Sequence, residues 1–126
     1  MSNATVLLVD DDPEICQFLA LLLEVEGFAP VKATSADEAL SAAARVRPAA
    51  VLLDVAMPDV DGLELCRRLR RAGTLAPILV VSARPGTEMP QRALEAGADE
   101  FVRKPFDNAD LVARLRRWID QRPRAA

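Results

Sequence analysis

Residues 5–13 read Thr-Val-Leu-Leu-Val-Asp-Asp-Asp-Pro, an apolar run that stops abruptly at three acids and a proline. Val6, Leu7, Leu8 and Val9 follow one another without polar alternation, which is the pattern of a strand covered on both faces, as in a parallel sheet. Asp12 followed by Pro13 then supplies a helix N-cap and a first helical residue. Ile15, Phe18, Leu19 and Leu22 recur at helical spacing until Gly27 ends the run, and they are expected to form the buried stripe. The stretch therefore predicts a strand, an acidic turn and a helix.

Working outward, the same unit recurs. Apolar runs at 51–53, after Pro48, at 78–81, after Pro77, and at Phe101 and Val102 predict three more strands. Ala29–Ala33 is a weaker fifth candidate, expected at an edge. Ser35 with Glu38 three residues on has the form of a capping box. Leu63, Cys66 and Leu69 form the inward face of a third helix ending near Gly73. A fourth helix runs toward Ala96 and stops at Gly97, with Pro90 in its first turn, where amide hydrogens have no helical partner. Asp107 caps a fifth, with Leu111, Leu115 and Ile119 inward. Five strand–helix alternations with right-handed crossovers predict an open, doubly wound α/β fold with a parallel sheet and helices on both faces. They are too few for an eight-stranded barrel.

Composition narrows the chemistry. The chain has 126 residues, 51% of them hydrophobic, enough for one core and one domain, expected over residues 5–121. Residues 1–4 have the look of a cloning remnant, and residues 122–126 that of a tail or the start of a linker. Histidine is absent, which excludes Ser-His-Asp and Cys-His catalysis, a His-ligated zinc and a phosphohistidine on this chain. Cys16 and Cys66 lack CxxC spacing and read as free thiols in a reducing, cytoplasmic setting. A net charge of −3 from 19 acidic and 16 basic residues, without long single-sign runs, offers no general grip on nucleic acid or on a membrane surface. No apolar run approaches the roughly 18 residues of a membrane span.

Ligands of such sheets bind beyond the carboxyl ends of the strands. There stand Asp10, Asp11 and Asp12 after the first strand, Asp54 after the third, Ser82 after the fourth, and Arg103, Lys104 and Pro105 after the fifth. Asp12 is most simply the helix cap. Acids gathered from two buried strands repel one another unless a cation offsets them. Carboxylate oxygens without Cys or His suit a hard divalent ion.

These residues resemble the receiver domain of bacterial two-component response regulators. The likeness rests on Leu-Val-Asp-Asp-Asp-Pro at 8–13, Leu-Leu-Asp-Val-Ala-Met-Pro-Asp-Val-Asp-Gly at 52–62, Val-Ser-Ala at 81–83, Ala-Gly-Ala-Asp at 96–99 and Lys-Pro-Phe at 104–106. It spans residues 5–121 and implies the flavodoxin-like sheet of strand order 2-1-3-4-5 with five helices. It further implies that Asp54 is the phosphoacceptor, taking its phosphoryl group from a phosphohistidine on a sensor histidine kinase or histidine phosphotransferase. By the same resemblance Asp10, Asp11, Asp54 and the backbone carbonyl of Ala56 hold Mg²⁺ or Mn²⁺. Lys104 and Ser82 contact the phosphoryl oxygens, and Ser82 with Phe101 forms the switch. The domain is then a signalling phosphoacceptor and not an enzyme, beyond its own phosphorylation and slow dephosphorylation, with an output face on helix 4, strand 5 and helix 5.

Three positions depart from the family pattern. Ala56 and Arg84 stand where the family tunes phosphoryl lifetime, and Pro90 lies in a helix that usually rearranges. A flavin-binding module of the same fold would want a hydroxyl-rich phosphate loop in place of the three acids, and a phosphatase of the haloacid dehalogenase type would need an acid at position 56. A receiver-like scaffold that is never phosphorylated would not need the acids, Ser82 and Lys104 together. On helix 1, Leu21 and Val25 are expected outward beside Gln17, either as scattered surface apolars or as a kinase-docking stripe. Asp99 and Glu100 opposite Arg114, Arg116 and Arg117 suggest charge pairs across a two-fold axis in a weak, phosphorylation-dependent homodimer. No direct contact with nucleic acid or membrane is expected.

Overall fold

A computed structural model describes residues 3–54, 62–83 and 87–121. Strand and helix alternate as β1 (Thr5–Val9), α1 (Pro13–Val25), β2 (Ala29–Ala33), α2 (Ala36–Val46), β3 (Ala50–Asp54), α3 (Gly62–Arg71), β4 (Ile78–Ser82), α4 (Met89–Glu95), β5 (Glu100–Arg103) and α5 (Asn108–Asp120). The strands form one parallel sheet in the order β2-β1-β3-β4-β5. The order reverses beside β1, so a crevice opens between β1 and β3, the place where such sheets bind ligands.

The central strands β3 and β4 are buried at every position, as their unbroken apolar runs require. The weaker run, Ala29–Ala33, lies at an edge, where Pro30 forfeits no ladder bond that a central strand would need. Alternation along the strands splits the core into two layers. Val6, Leu8, Ala50, Leu52, Val81 and Val102 face α1 and α5, whereas Leu7, Val9, Val51, Leu53, Ile78 and Val80 face α2, α3 and α4. Ala4, set apart with the first residues, packs against the first layer and accepts a hydrogen bond from Ala29 N at 2.8 Å.

The helix ends follow their capping residues. Asp12 accepts from Glu14 N at 2.9 Å, Ser35 from Glu38 N at 3.2 Å, and Asp107 from Ala109 N at 2.8 Å. Pro90 sits in the first turn of α4. One helix face differs from expectation. The buried residues of α1 are Cys16, Ala20 and Leu23, with Leu19 and Leu22 half-buried. Ile15 and Phe18 point outward, Phe18 with 53% of its surface exposed. The reason is steric: the small Cys16 and Ala20 let α1 lie close on the sheet, and the large apolar residues at the flank are turned away.

At the end of the sheet opposite the acids, before β4 and β5, one side chain ties three segments together. Arg70 donates to the carbonyls of Gly97 (2.8 Å), Thr74 (2.9 Å) and Ala76 (2.8 Å), and to the Asp99 carboxylate (2.8 Å). Asp99 accepts in turn from Ile78 N at 2.9 Å, which fixes the start of β4. Glycine is required at 97 because φ is +108° and a Cβ there would lie 2.8 Å from Arg70 Cγ.

Candidate functional site

The β1–β3 register places Val9 beside Leu53, so the next residues, Asp10 and Asp54, leave their strands side by side. Asp54 pairs with Val81 in the β3–β4 register, which puts Ser82 one step further along. Asp10 N donates to Ala33 O at 3.1 Å and Lys104 N to Ser82 O at 2.8 Å, continuing the ladders past the strand ends and holding both backbones in place. The peptide between Lys104 and Pro105 is cis. By strand alternation Asp54 follows Leu52 on the α1/α5 face, while Ser82 follows Val80 on the face toward α4.

Asp10 and Asp54 are buried, Ser82 is fully so, and Asp11 is exposed. Oxygens of Asp10, Asp11 and Asp54 lie within 4.8 Å of one another. Lys104 Nζ stands 3.7 Å from Asp54 Oδ2 and 4.0 Å from Asp10 Oδ2. Leu8, Leu19, Leu52 and Val81 line the pocket beneath these groups, so the carboxylates sit on an apolar floor. That floor has an electrostatic effect. Burial pushes the Asp10 carboxyl up to about 6, and the Asp54 charge adds to the rise, while the hydrogen bond from Asp12 N (2.9 Å) and the Lys104 ammonium pull it back. Cys16 Sγ donates to the Asp10 carbonyl at 3.4 Å, and its thiol is pushed by burial up to about 11, so it is a packing group here and not a nucleophile.

Three carboxylates around one point, with a single lysine nearby, suit a divalent cation held by oxygens, and Asp10, Asp11 and Asp54 are the described residues that could hold it. Among the described residues no other group of His, Cys, Asp and Glu has this geometry. Ala56 and Arg84 lie outside the described residues, so their expected roles stay with the sequence.

Similarity to known proteins agrees with this geometry. Residues 6–116 match the family model of the response regulator receiver domain. The chain belongs to that family. It is thus a receiver domain of two-component signalling. Over 111 residues it is 44% identical to response regulator MprA of Mycobacterium leprae, covering 88% of this chain and 49% of that protein. The chain spans about half the length of the curated relatives it matches. Among solved structures, the receiver domain of Francisella response regulator 1452 superposes with a TM-score of 0.88 at 30% identity, over 94% of this chain and 98% of that one. The BeF₃-activated N-terminal receiver domain of Klebsiella pneumoniae RstA gives 0.87 at 33% identity, over 93% and 99%.

The receiver's fifth strand carries contacts that spacing alone does not announce. Phe101 is half-buried against the α4-side core, and the Arg103 guanidinium lies over its ring, 5.3 Å from the centroid. The Glu100 carboxylate accepts from Trp118 Nε1 at 2.7 Å and from Arg114 Nη1. Arg116 pairs with Glu26 at 3.2 Å, and Asp99 with Arg70 at 2.8 Å. Four of the five charges expected to meet across a two-fold axis therefore have partners within the chain. No described helix is long and apolar enough to cross a membrane.

Proposed function

We propose that this receiver takes a phosphoryl group onto Asp54 from a phosphohistidine on a histidine kinase or phosphotransferase in the cytoplasm. An Asp54 carboxylate oxygen forms the new O–P bond as the N–P bond of the donor breaks; the departing nitrogen keeps that electron pair, and with a proton on the other ring nitrogen the partner's histidine leaves neutral. The observation that carries this reading is the Lys104 ammonium set 3.7 Å from one buried acid and 4.0 Å from another, with a third acid beside them. Phosphoryl transfer is mainly a matter of positioning and of neutralising the equatorial oxygens. In this reading Lys104 pairs with those oxygens and the Ser82 hydroxyl donates a hydrogen bond to one.

Asp10, Asp11 and Asp54 would hold Mg²⁺ or Mn²⁺, with the Ala56 carbonyl carried over from the resemblance. The bound ion supplies positive charge for the acids and the incoming phosphoryl group. Engagement of Ser82 then favours a packing in which the Phe101 ring moves into the space behind it, changing the face of α4, β5 and α5 that meets partners. Residues 5–121 form the receiver unit, and its chemistry is its own phosphorylation and dephosphorylation.

Incubation with acetyl phosphate and Mg²⁺ should add about 80 Da, the mass of one phosphoryl group, to the intact chain. The same incubation in EDTA should add nothing. A chain that stays unmodified in Mg²⁺ would be a scaffold, not an acceptor.

On α1, the helix that follows the acids, Phe18, Leu21 and Val25 recur at three and four residues and are 53%, 52% and 82% exposed, forming an outward stripe. The kinase docks there in our reading. Leu21→Glu should slow transfer from the cognate phosphokinase about tenfold or more, as expected for a charge placed at the centre of an apolar contact, while leaving acetyl phosphate labelling unchanged. Equal kinase rates for variant and wild type would make these residues scattered surface apolars. The unphosphorylated chain should be a monomer, because Glu100, Arg114, Arg116 and Asp99 must change partners before they can pair across a dimer. Neither nucleic acid nor membrane is a partner of this unit.

A further inference from the structure

We propose that Arg103 is a positioning residue that holds the Phe101 ring in its half-exposed place and so sets how readily the receiver switches. The inference rests on the reading of Phe101 as the moving aromatic. Phe101 and Arg103 stand two apart on β5, so their side chains share the face toward α4. β5 is the last strand of the sheet, and no further strand covers its outer side. The ring's inner edge packs against the α4-side core, and the guanidinium, 5.3 Å from the centroid, lies within cation–π range of its face. Arg103 is exposed, so it covers the ring without being part of the core.

The register ties this stack to the acidic pocket. Arg103 is the Cα partner of Ser82, and Lys104, the next residue, donates its backbone N–H to Ser82 O at 2.8 Å. Of the two residues that would contact the phosphoryl group, Lys104 therefore follows the residue that covers the ring along the chain, and Ser82 is its partner across the β4–β5 ladder. Inward movement of Phe101 must break the stack, whereas the half-exposed position keeps it. A stack of this kind at an exposed site biases such an equilibrium about two- to fivefold.

The test uses the chain with 4-fluorophenylalanine at its four Phe positions, the Phe101 signal being assigned through Phe101→Leu. The fluorine shift between H₂O and D₂O reports exposure of the ring. Removing Arg103 uncovers the ring, so if the ring does not move its exposure must rise; only inward movement can lower it. Arg103→Gln should lower the solvent isotope shift of Phe101 in unmodified protein and raise the inward population about two- to fivefold, with Arg103→Lys in between because it keeps the charge and loses the planar stack. Beryllofluoride affinity should rise by the same factor, since a ligand favouring one state gains whatever that state gains in population. An isotope shift that rises or stays constant in Arg103→Gln overturns the proposal. A wild-type chain that binds no beryllofluoride would instead remove the acceptor reading, and the ring populations of the unmodified protein would still decide the role of Arg103.

Discussion

Asp54→Asn should remain folded and take up no phosphoryl group from either acetyl phosphate or a phosphorylated kinase. The substitution keeps the shape of the side chain and removes the nucleophile: the neutral amide has no anionic oxygen to form the O–P bond. Stability should not suffer. Asp54 is buried and its charge raises the Asp10 carboxyl, so replacing it with a neutral group relieves repulsion in the metal-free protein. Intact mass should show a gain of about 80 Da in wild type and none in the variant after identical incubation. Fragmentation should place the wild-type label between the cleavages that bracket Asp54. Labelling of Asp54→Asn at the wild-type rate would move the acceptor to another acid, with Asp10 and Asp11 the first to try.

How far the site can be read from the chain depends on where each residue's role is decided. The run Thr5–Val9 ending in acids, repeated at Asp54, is a local pattern, and parallel pairing brings local strand ends together, so the gathering of Asp10, Asp11, Asp54 and Lys104 is legible in the sequence. The two-sided burial of β3 and β4 was equally legible from their unbroken apolar runs. The facing of α1 was not. Periodicity weights residues by hydrophobicity, so Phe18 drew the stripe toward itself, while contact with the sheet is governed by how closely the helix can approach and favours Cys16 and Ala20. Pairings made by long side chains across the fold were also hidden. Arg70 meets Asp99 and Gly97, Arg116 meets Glu26, and Trp118 meets Glu100, contacts 18 to 90 residues apart in sequence that composition could only present as surface charge or scattered aromatics. The expectation of charge pairs between two copies did not foresee that these side chains also take partners within one chain, Glu100 with Arg114, Asp99 with Arg70 and Arg116 with Glu26.

Asp10→Asn should make the metal-free protein more stable at neutral pH while destroying its response to Mg²⁺. Asn can keep the backbone hydrogen bond made by Asp10, because its amide oxygen can accept from Asp12 N as the carboxylate does at 2.9 Å. It removes the charge that burial and Asp54 oppose. The sign follows from the two states: the Asp10 carboxyl lies at 3.8 in the ordinary case and at about 6 in the fold. Between those values the folded chain binds the proton that the unfolded chain has lost. Its stabilising contribution is therefore complete below about pH 4 and lost as pH rises through 6. At about 1.4 kcal/mol per pH unit, ionised Asp10 costs the metal-free fold on the order of 2–3 kcal/mol at pH 7.5. Urea unfolding in EDTA should show Asp10→Asn more stable than wild type by about 1–3 kcal/mol at pH 7.5, the difference closing by about pH 4. Taking the difference between the two proteins cancels acids that shift the other way, such as Glu64, lowered by Arg67 and Arg71. Saturating Mg²⁺ should then stabilise wild type through binding to the folded state alone and leave the variant nearly unmoved. A variant that is less stable than wild type in EDTA at pH 7.5 would mean that Lys104, 4.0 Å from Asp10, already compensates the charge, and that the acidic pocket is not strained toward a cation.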